Sequence, residues 1–478
     1  MTSERAPGSP PSAPRAGGGG GWLVLALALG LVRFVRLGQW SLWIDEAFTL
    51  ADAYHGQWNY NPLGYAVIRA VVEASGAPAT ELTLRLAPAV AGWLAIPLVF
   101  WAFVPVAGGR VAGAAALVVA ASPWQVYWSQ NARFYTFVTA VGLVALGLVA
   151  RGLVRGSRPL ACAGLVVASA GVVLHLQAAL LAASIAAAVV VAPWTRDGAV
   201  ERTDVRRLAR TVAIAGGVLA LAGSPWVYRV FDYYRYLKPA APLASIAHLA
   251  KSTGFFLTPT LCVAAAVGAG VVLTRRTPLG RFALATLAVG VAGGTTAAAL
   301  ATGSAQYVFA FMPLVALLAA WPLAVSPLRG SRAASTAWLA LLVLPLLAET
   351  GLYLTVRHGE RPRWREAYGW VAEHRGPNDL VLGMQASVGE FYLNPGATDL
   401  RRPRTVAWTD RNDPGTWQRW AMRRRPLWVV VRPDFLQLWP GDMRRNFRAF
   451  LTDECHLKRR FDVHLEGRDL DLEVYYRP

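Results

Sequence analysis

The chain has 478 residues, 55% hydrophobic and only 16% charged, where soluble domains carry about 25% charged residues, so the composition excludes an ordinary water-soluble protein. The net charge of +19 does not point to nucleic acid, because most of the excess falls in short loops between apolar runs, where arginine sets membrane topology. Residues 1–354 hold 25 Lys/Arg against 11 Asp/Glu, and residues 355–478 hold 22 against 17. The distribution divides the chain into a polytopic membrane region, 22–354, and a water-soluble tail of domain size, 355–478.

Residues 1–21, MTSERAPGSPPSAPRAGGGGG, lack apolar periodicity and read as a disordered cytoplasmic arm. Their glycine run lacks the GK[ST] of a phosphate loop. The apolar run that follows, to Leu37, has no small-residue cleavage site after it and reads as a signal anchor. Further apolar runs recur at about 84–105, 110–125, 134–150, 159–174, 177–193, 209–226, 255–273, 281–300, 307–325 and 335–354. Together they predict about eleven transmembrane helices, some shorter than the roughly 20 residues a bilayer demands. The stretch 159–193 suits two short helices turning near His175.

Arginine-bearing loops at 151–158, 195–210, 274–281 and 328–332 all fall inside when the N-terminus is cytoplasmic. The same count puts 38–83, 126–133, 227–254, 301–306 and the tail outside. The tail alternates helices and strands. Residues 363–375, VGEFYLN, 414–424 and 441–452 read as helices, and DLVLGM, RTVAW, LWVVVR, RFDVHL and LEVYYR as strands. This is the pattern of a small α/β domain. Cys162, Cys262 and Cys455 have the spacing of neither a disulfide framework nor a zinc site.

Three outer loops hold the chemistry. The first, 38–83, is rich in Trp and Tyr, which favour the membrane–water interface, and carries Asp45 and Glu46 side by side in SLWIDEAFTL. One reading makes this pair the acidic first turn of an interfacial helix. Another makes it a working site, because Arg33 and Arg36 stand just upstream, and acid and base at an apolar interface are costly unless paired or used. The second loop, SPWQVYWSQNARFYTF, places Arg133 beside Gln130, Asn131 and Tyr135, either as a snorkelling interfacial residue or as part of a site. The third carries Arg229, Asp232, Arg235 and Lys238 among tyrosines, and basic residues in an outer loop suggest a bound anion.

RFVRLGQWSLWIDEAFT, NPLGY, ELTLRLAPAVAGWLAIPLVFW and SPWQVYWSQNARFY follow one another in an order that resembles the GT-C superfamily of polyprenyl-phosphate-sugar-dependent glycosyltransferases. The likeness is to bacterial relatives of protein O-mannosyltransferases and lipid A aminoarabinose transferases. LHLQAALL resembles that family's span carrying a histidine, and the stretch from Gly351 resembles the start of its outer C-terminal domain. The resemblance implies a polytopic α-helical membrane protein of GT-C type with a C-terminal extracytoplasmic α/β domain, in the inner or plasma membrane. It implies inverting transfer of a hexosyl or pentosyl group from a polyprenyl-monophosphate donor to a lipid, glycan or protein hydroxyl outside. The prenyl chain would occupy an apolar groove among the spans, beside the 38–83 loop.

By the same resemblance Asp45 is the catalytic base, and Glu46 orients it or a basic neighbour. The substrate-binding set is Arg33, Asn61, Tyr65, Arg133, Tyr135, His175, Arg229, Lys238, Gln306 and Tyr307. Three positions depart from the pattern: Asn61 where a basic residue is common, Asn131 where an acid is common, and Gln306 where Arg often stands. No cofactor is expected. The two carboxylates could hold a divalent metal, but no third acid is obvious nearby, so no metal is predicted. Two rival readings remain open: a transporter or flippase, disfavoured by acids clustered at the outer interface rather than the midplane, and a GT-C scaffold of weakened activity.

Overall fold

The computed structural model describes residues 19–478 apart from 57–60, 192–201, 235–240, 301–302, 327, 402–404, 410–414, 424 and 466–467. Most of the expected arm lies outside these residues, and its last glycines open α1 (Gly20–Gly30), which runs on as a tight turn over Leu31–Phe34. The segment expected as the first outer loop is itself helical, with α2 (Ile44–His55) and α3 (Pro62–Ala74). Two expected spans then merge into one 41-residue element, α4 (Glu81–Ala121). At about 1.5 Å per residue an unbroken helix of that length would run about twice the hydrocarbon thickness of about 30 Å. The chain breaks it at Gly108, whose φ of 82° only glycine adopts readily.

After a short α5 (Pro123–Ser129), α6 (Tyr135–Arg155) stops at a left-handed Gly156. The ambiguous stretch does turn near His175, between α7 (Arg158–Ala170) and α8 (Gln177–Val191). The bundle continues through α9 (Arg202–Tyr234), α10 (Pro242–Phe256), α11 (Pro259–Thr274), α12 (Pro278–Leu300), a tight turn over Ala305–Phe311, α13 (Met312–Ala320) and α14 (Arg332–Thr355). Among the described residues, five helices are long and apolar enough to cross a bilayer, or up to six if α10 and α11, bent by 100°, form one span. The expected eleven shrink by this measure because α4 absorbs two runs, three apolar helices, from Gly20, Arg158 and Gln177, are shorter than a full span, and α9 is not among the helices that pass.

The tail begins with α15 (Trp364–His374) and continues β1 (Leu380–Gly383), α16 (Ala386–Leu393), β2 (Val406–Trp408), α17 (Gly415–Ala421), β3 (Leu427–Val431), α18 (Pro433–Leu436) and α19 (Gly441–Asp453). It ends with β4 (His456–Phe461), the small hairpin β5 (His464–Leu465) and β6 (Arg468–Asp469), and β7 (Leu472–Arg477). The expected strand RFDVHL is not continuous, being split between the end of β4 and β5. The main sheet has the order β2-β1-β3-β7-β4, parallel across β2-β1-β3 and antiparallel beyond. β3 is buried along its whole length, as a central strand covered on both faces must be. One face packs under α17 and α19 through Val429, Val431 and Phe447. The other packs Val381, Val406 and Val430 under α15 and α16, and that core runs without a break into Leu42, Ala47, Leu50 and Ile68 of the first outer loop. The tail and the loop therefore fold on one another.

Candidate active site at the first outer loop

α2 starts at Ile44, so Asp45 and Glu46 both stand in its first turn, where the helix dipole favours acid. They point into different surroundings. Glu46 is fully buried. Its Oε1 and Oε2 accept from Arg85 Nε and Nη2, both at 2.7 Å, from the Ala132 N–H at 2.8 Å and from the Trp43 N–H at 3.0 Å. Arg361 Nε stands 3.7 Å from Oε2. Burial alone would raise the Glu46 carboxyl, but the Arg85 and Arg361 guanidiniums and the hydrogen bonds outweigh it and hold the group at about 2. Arg85, also fully buried, gives its remaining hydrogens to the carbonyls of Leu37, Trp40 and Ser41 at 2.9–3.2 Å, pinning the chain that leads into α2.

Asp45 is half-buried. Among the described residues its carboxylate has no hydrogen-bond or ion-pair partner. Its backbone carbonyl accepts from the Thr49 hydroxyl at 2.9 Å and from Arg133 Nη1 at 3.2 Å. Arg133, which also donates to Thr49 at 3.0 Å, is the electrostatic centre of the region, with Asp52, Tyr65, His175 and Tyr307 all within reach of its charge. Tyr307 lies within reach of Asp45 as well. Tyr65 donates to Asp52 at 3.0 Å and is hydrogen-bonded by Asn61, while Asp52 is ion-paired to Arg401 of the tail. Tyr135 packs on His175 with ring centroids 5.1 Å apart. His175 Nδ1 accepts the Gln177 N–H at 3.2 Å, and the Gln177 side chain donates to the Gln306 carbonyl at 2.9 Å.

The fold thus gathers Asp45, Asn61, Tyr65, Arg133, Tyr135, His175, Gln306 and Tyr307 from α2, α3, α6 and the three turns before α6, α8 and α13. Arg33 does not join them. It is buried, and its Nη groups donate to the Val119 and Ala120 carbonyls at 2.9 and 3.1 Å, serving the last turn of α4 rather than an anion. Arg229 is exposed on α9, and no contact among the described residues links it to the cluster. Lys238 lies outside the described residues.

The sequence reading missed Arg85 and Arg361 as partners of Glu46. Arg85 left a signal, a lone charge inside the apolar stretch LTLRLAP; Arg361 left none. Glu46 is saturated by arginine and backbone N–H groups, Asp52 is held by Arg401 and Tyr65, and among the described residues no three His, Cys, Asp or Glu side chains converge. Beside the cluster, a cavity of about 960 Å³ opens between α7, α8 and α9. Val172, Val173 and Leu176 in its wall bracket His175, and apart from Ser169, Ser224, Trp226 and Tyr228 its lining is aliphatic or glycine.

No family model matches the sequence, and no curated protein matches it. Solved structures do match. ArnT of Cupriavidus metallidurans in the apo state aligns over 96% of this chain and 98% of its own, with a TM-score of 0.58 at 17% identity. The same protein bound to undecaprenyl phosphate aligns with a TM-score of 0.52 over the same shares at 18% identity. The Archaeoglobus fulgidus oligosaccharyltransferase tethered to an acceptor peptide containing the NVT sequon covers 94% of this chain and 73% of its own, with a TM-score of 0.55 at 12% identity. Both proteins are GT-C superfamily members. The chain has the GT-C fold. Within that fold the gathered cluster falls on the 38–83 segment and on the turns before α6, α8 and α13, so the chain assembles its candidate site from sequence segments up to about 260 residues apart (Asp45 to Gln306).

Proposed function

We propose that this GT-C protein is an inverting membrane glycosyltransferase, taking a sugar from a polyprenyl monophosphate and passing it to a lipid, glycan or protein hydroxyl on the outer face of the cell membrane. The observation that carries the reading is the contrast between two adjacent acids: Glu46 is locked by two arginines, while Asp45 is half-buried with its carboxylate unengaged. A carboxylate that no hydrogen bond or ion pair engages among the described residues is placed to accept a proton.

In the step proposed, an Asp45 oxygen takes the proton of the acceptor hydroxyl as that oxygen bonds to the anomeric carbon. The bond from that carbon to the phosphate oxygen breaks from the opposite side and the configuration inverts. The electron pair leaves on polyprenyl phosphate, which needs no protonation to depart. Arg133 supplies positive charge toward the leaving phosphate, with hydroxyls such as Tyr307 as further donors. The aliphatic cavity between α7, α8 and α9 suits the prenyl chain, and undecaprenyl phosphate is held by the similar ArnT. The Arg-bearing inner loops support an outward-facing site.

Asp45→Asn tests the assignment. With folding and prenyl-phosphate binding intact, sugar transfer should fall by about 10²–10⁴-fold, the usual worth of a general base. Transfer at the wild-type rate would remove Asp45 from the mechanism.

A further inference from the structure

Where the chain leaves α14, three consecutive residues, His358, Gly359 and Glu360, hold φ values of 49°, 62° and 55°. Two of the three are not glycine, and backbone strain of this kind persists only where the surroundings enforce it. Gly359 is pressed so closely on Trp40 that a Cβ would stand 2.7 Å from the indole ring. The left-handed run turns the chain back on itself and carries Arg361 inside, at 1% exposure. There its Nη2 donates to the Gln130 carbonyl at 2.8 Å and its Nη1 to the Gly359 carbonyl at 3.2 Å. Its Nε, with no hydrogen-bond partner, faces Glu46 Oε2 at 3.7 Å.

Charge balance at Glu46 alone does not call for this second arginine. Glu46 is already neutralised by the bidentate Arg85 and by two backbone N–H groups, and burying a further cation is unfavourable in itself. Glu46 also lies next to Asp45 in one helical turn, so whatever fixes the first fixes the direction of the second. We propose that Arg361 is a positioning residue: by closing the other side of the Glu46 clamp it locks the first turn of α2, and so ties the orientation of Asp45 to the seating of the segment that leads into the C-terminal domain. The proposal rests on the reading of Asp45 as the base.

The test uses the full-length protein in detergent, comparing wild type with Arg361→Gln, Arg361→Lys, Glu46→Gln and the double variant Glu46→Gln/Arg361→Gln. Two quantities are read: transfer kinetics per folded molecule, and amide hydrogen exchange across residues 43–49. Arg361→Gln should lower kcat by about 10²-fold, the scale of a 1 Å misplacement, with the donor KM unchanged, and Arg361→Lys should recover part of it. Because Arg361 acts through Glu46, the double variant should lose no more than Glu46→Gln alone. Exchange across 43–49 should rise in both glutamine variants. Wild-type kcat per folded molecule in Arg361→Gln, or losses that multiply in the double variant, would overturn the proposal. A wild type that binds polyprenyl phosphate yet transfers no sugar would defeat the Asp45 reading instead. In that case the exchange measurement still decides the clamp, and unchanged exchange rejects it.

Discussion

Asp45 and Glu46 are neighbours in sequence and about 100° apart around the helix axis, and that angle separates their chemistry. Glu46 turns into a pocket of arginines and backbone N–H groups, and the half-buried Asp45 carboxylate meets neither among the described residues. The Glu46 carboxyl sits at about 2 in the folded protein against 4.5 ordinarily. A depressed folded value means the stabilisation is fully present above pH 4.5 and is lost as pH falls through the window from 4.5 to about 2. Thermal unfolding followed from pH 6 to pH 3 should therefore show a decline steeper in wild type than in Glu46→Gln, which has no carboxylate to protonate. Equal slopes in the two proteins would show that the clamp does not carry the acid sensitivity. At Asp45 the prediction is catalytic, a loss of transfer in Asp45→Asn with the fold retained.

At the scale of elements, breaks in helices place the site. Gly108 folds the 41-residue α4 back, so that Arg85 at its outer end and Val119 and Ala120 at its other end reach the same first segment of the chain, the latter through Arg33. The turn after α14 does the corresponding work at the far end of the bundle. Gly359→Ala meets two obstacles there, a φ of 62° and a Cβ against Trp40. It should destabilise the protein by about 1–3 kcal/mol, as a non-glycine residue in a strained conformation does. It should also raise exchange across 43–49 as Arg361→Gln does. An alanine variant as stable as wild type would mean that Trp40 gives way at no cost.

Across the whole molecule, the C-terminal sheet region and the 38–83 segment share one core, and polar contacts staple the seam. Tyr392 in α16 accepts the Leu42 N–H at 2.6 Å and donates to Glu81 at 2.8 Å, Arg365 pairs with Glu81 and donates to the Gly38 carbonyl at 2.7 Å, and His55 meets Thr398 at 2.8 Å. Tyr392→Phe keeps the ring and leaves the Leu42 N–H and a Glu81 lone pair without their partner. Leaving such groups unsatisfied costs about 1–3 kcal/mol, so the midpoint of unfolding in detergent should fall and the 38–55 segment should become easier to cleave by protease. Protection equal to wild type would show that the apolar seam alone holds the domain.

The amino-acid sequence by itself determined what depends on local composition and period: the membrane class, the tail with its alternating helices and strands, and the presence of two acids in a helix first turn of an aromatic-rich segment. Apolar periodicity and turn residues are local properties, so they are legible without a partner. The sequence could not say which of the two acids would be engaged, because that depends on Arg85, 39 positions away, and Arg361, more than 300 away. Nor could it tell a phosphate-facing arginine from a helix-capping one, and Arg33, basic and well placed in the motif, proved to serve carbonyls of α4. Charge neutralisation and burial are set by what surrounds a side chain in three dimensions, and here the surroundings come from both ends of the chain. Only the tertiary structure, by sealing Glu46 while the Asp45 carboxylate meets no partner among the described residues, distinguished the two.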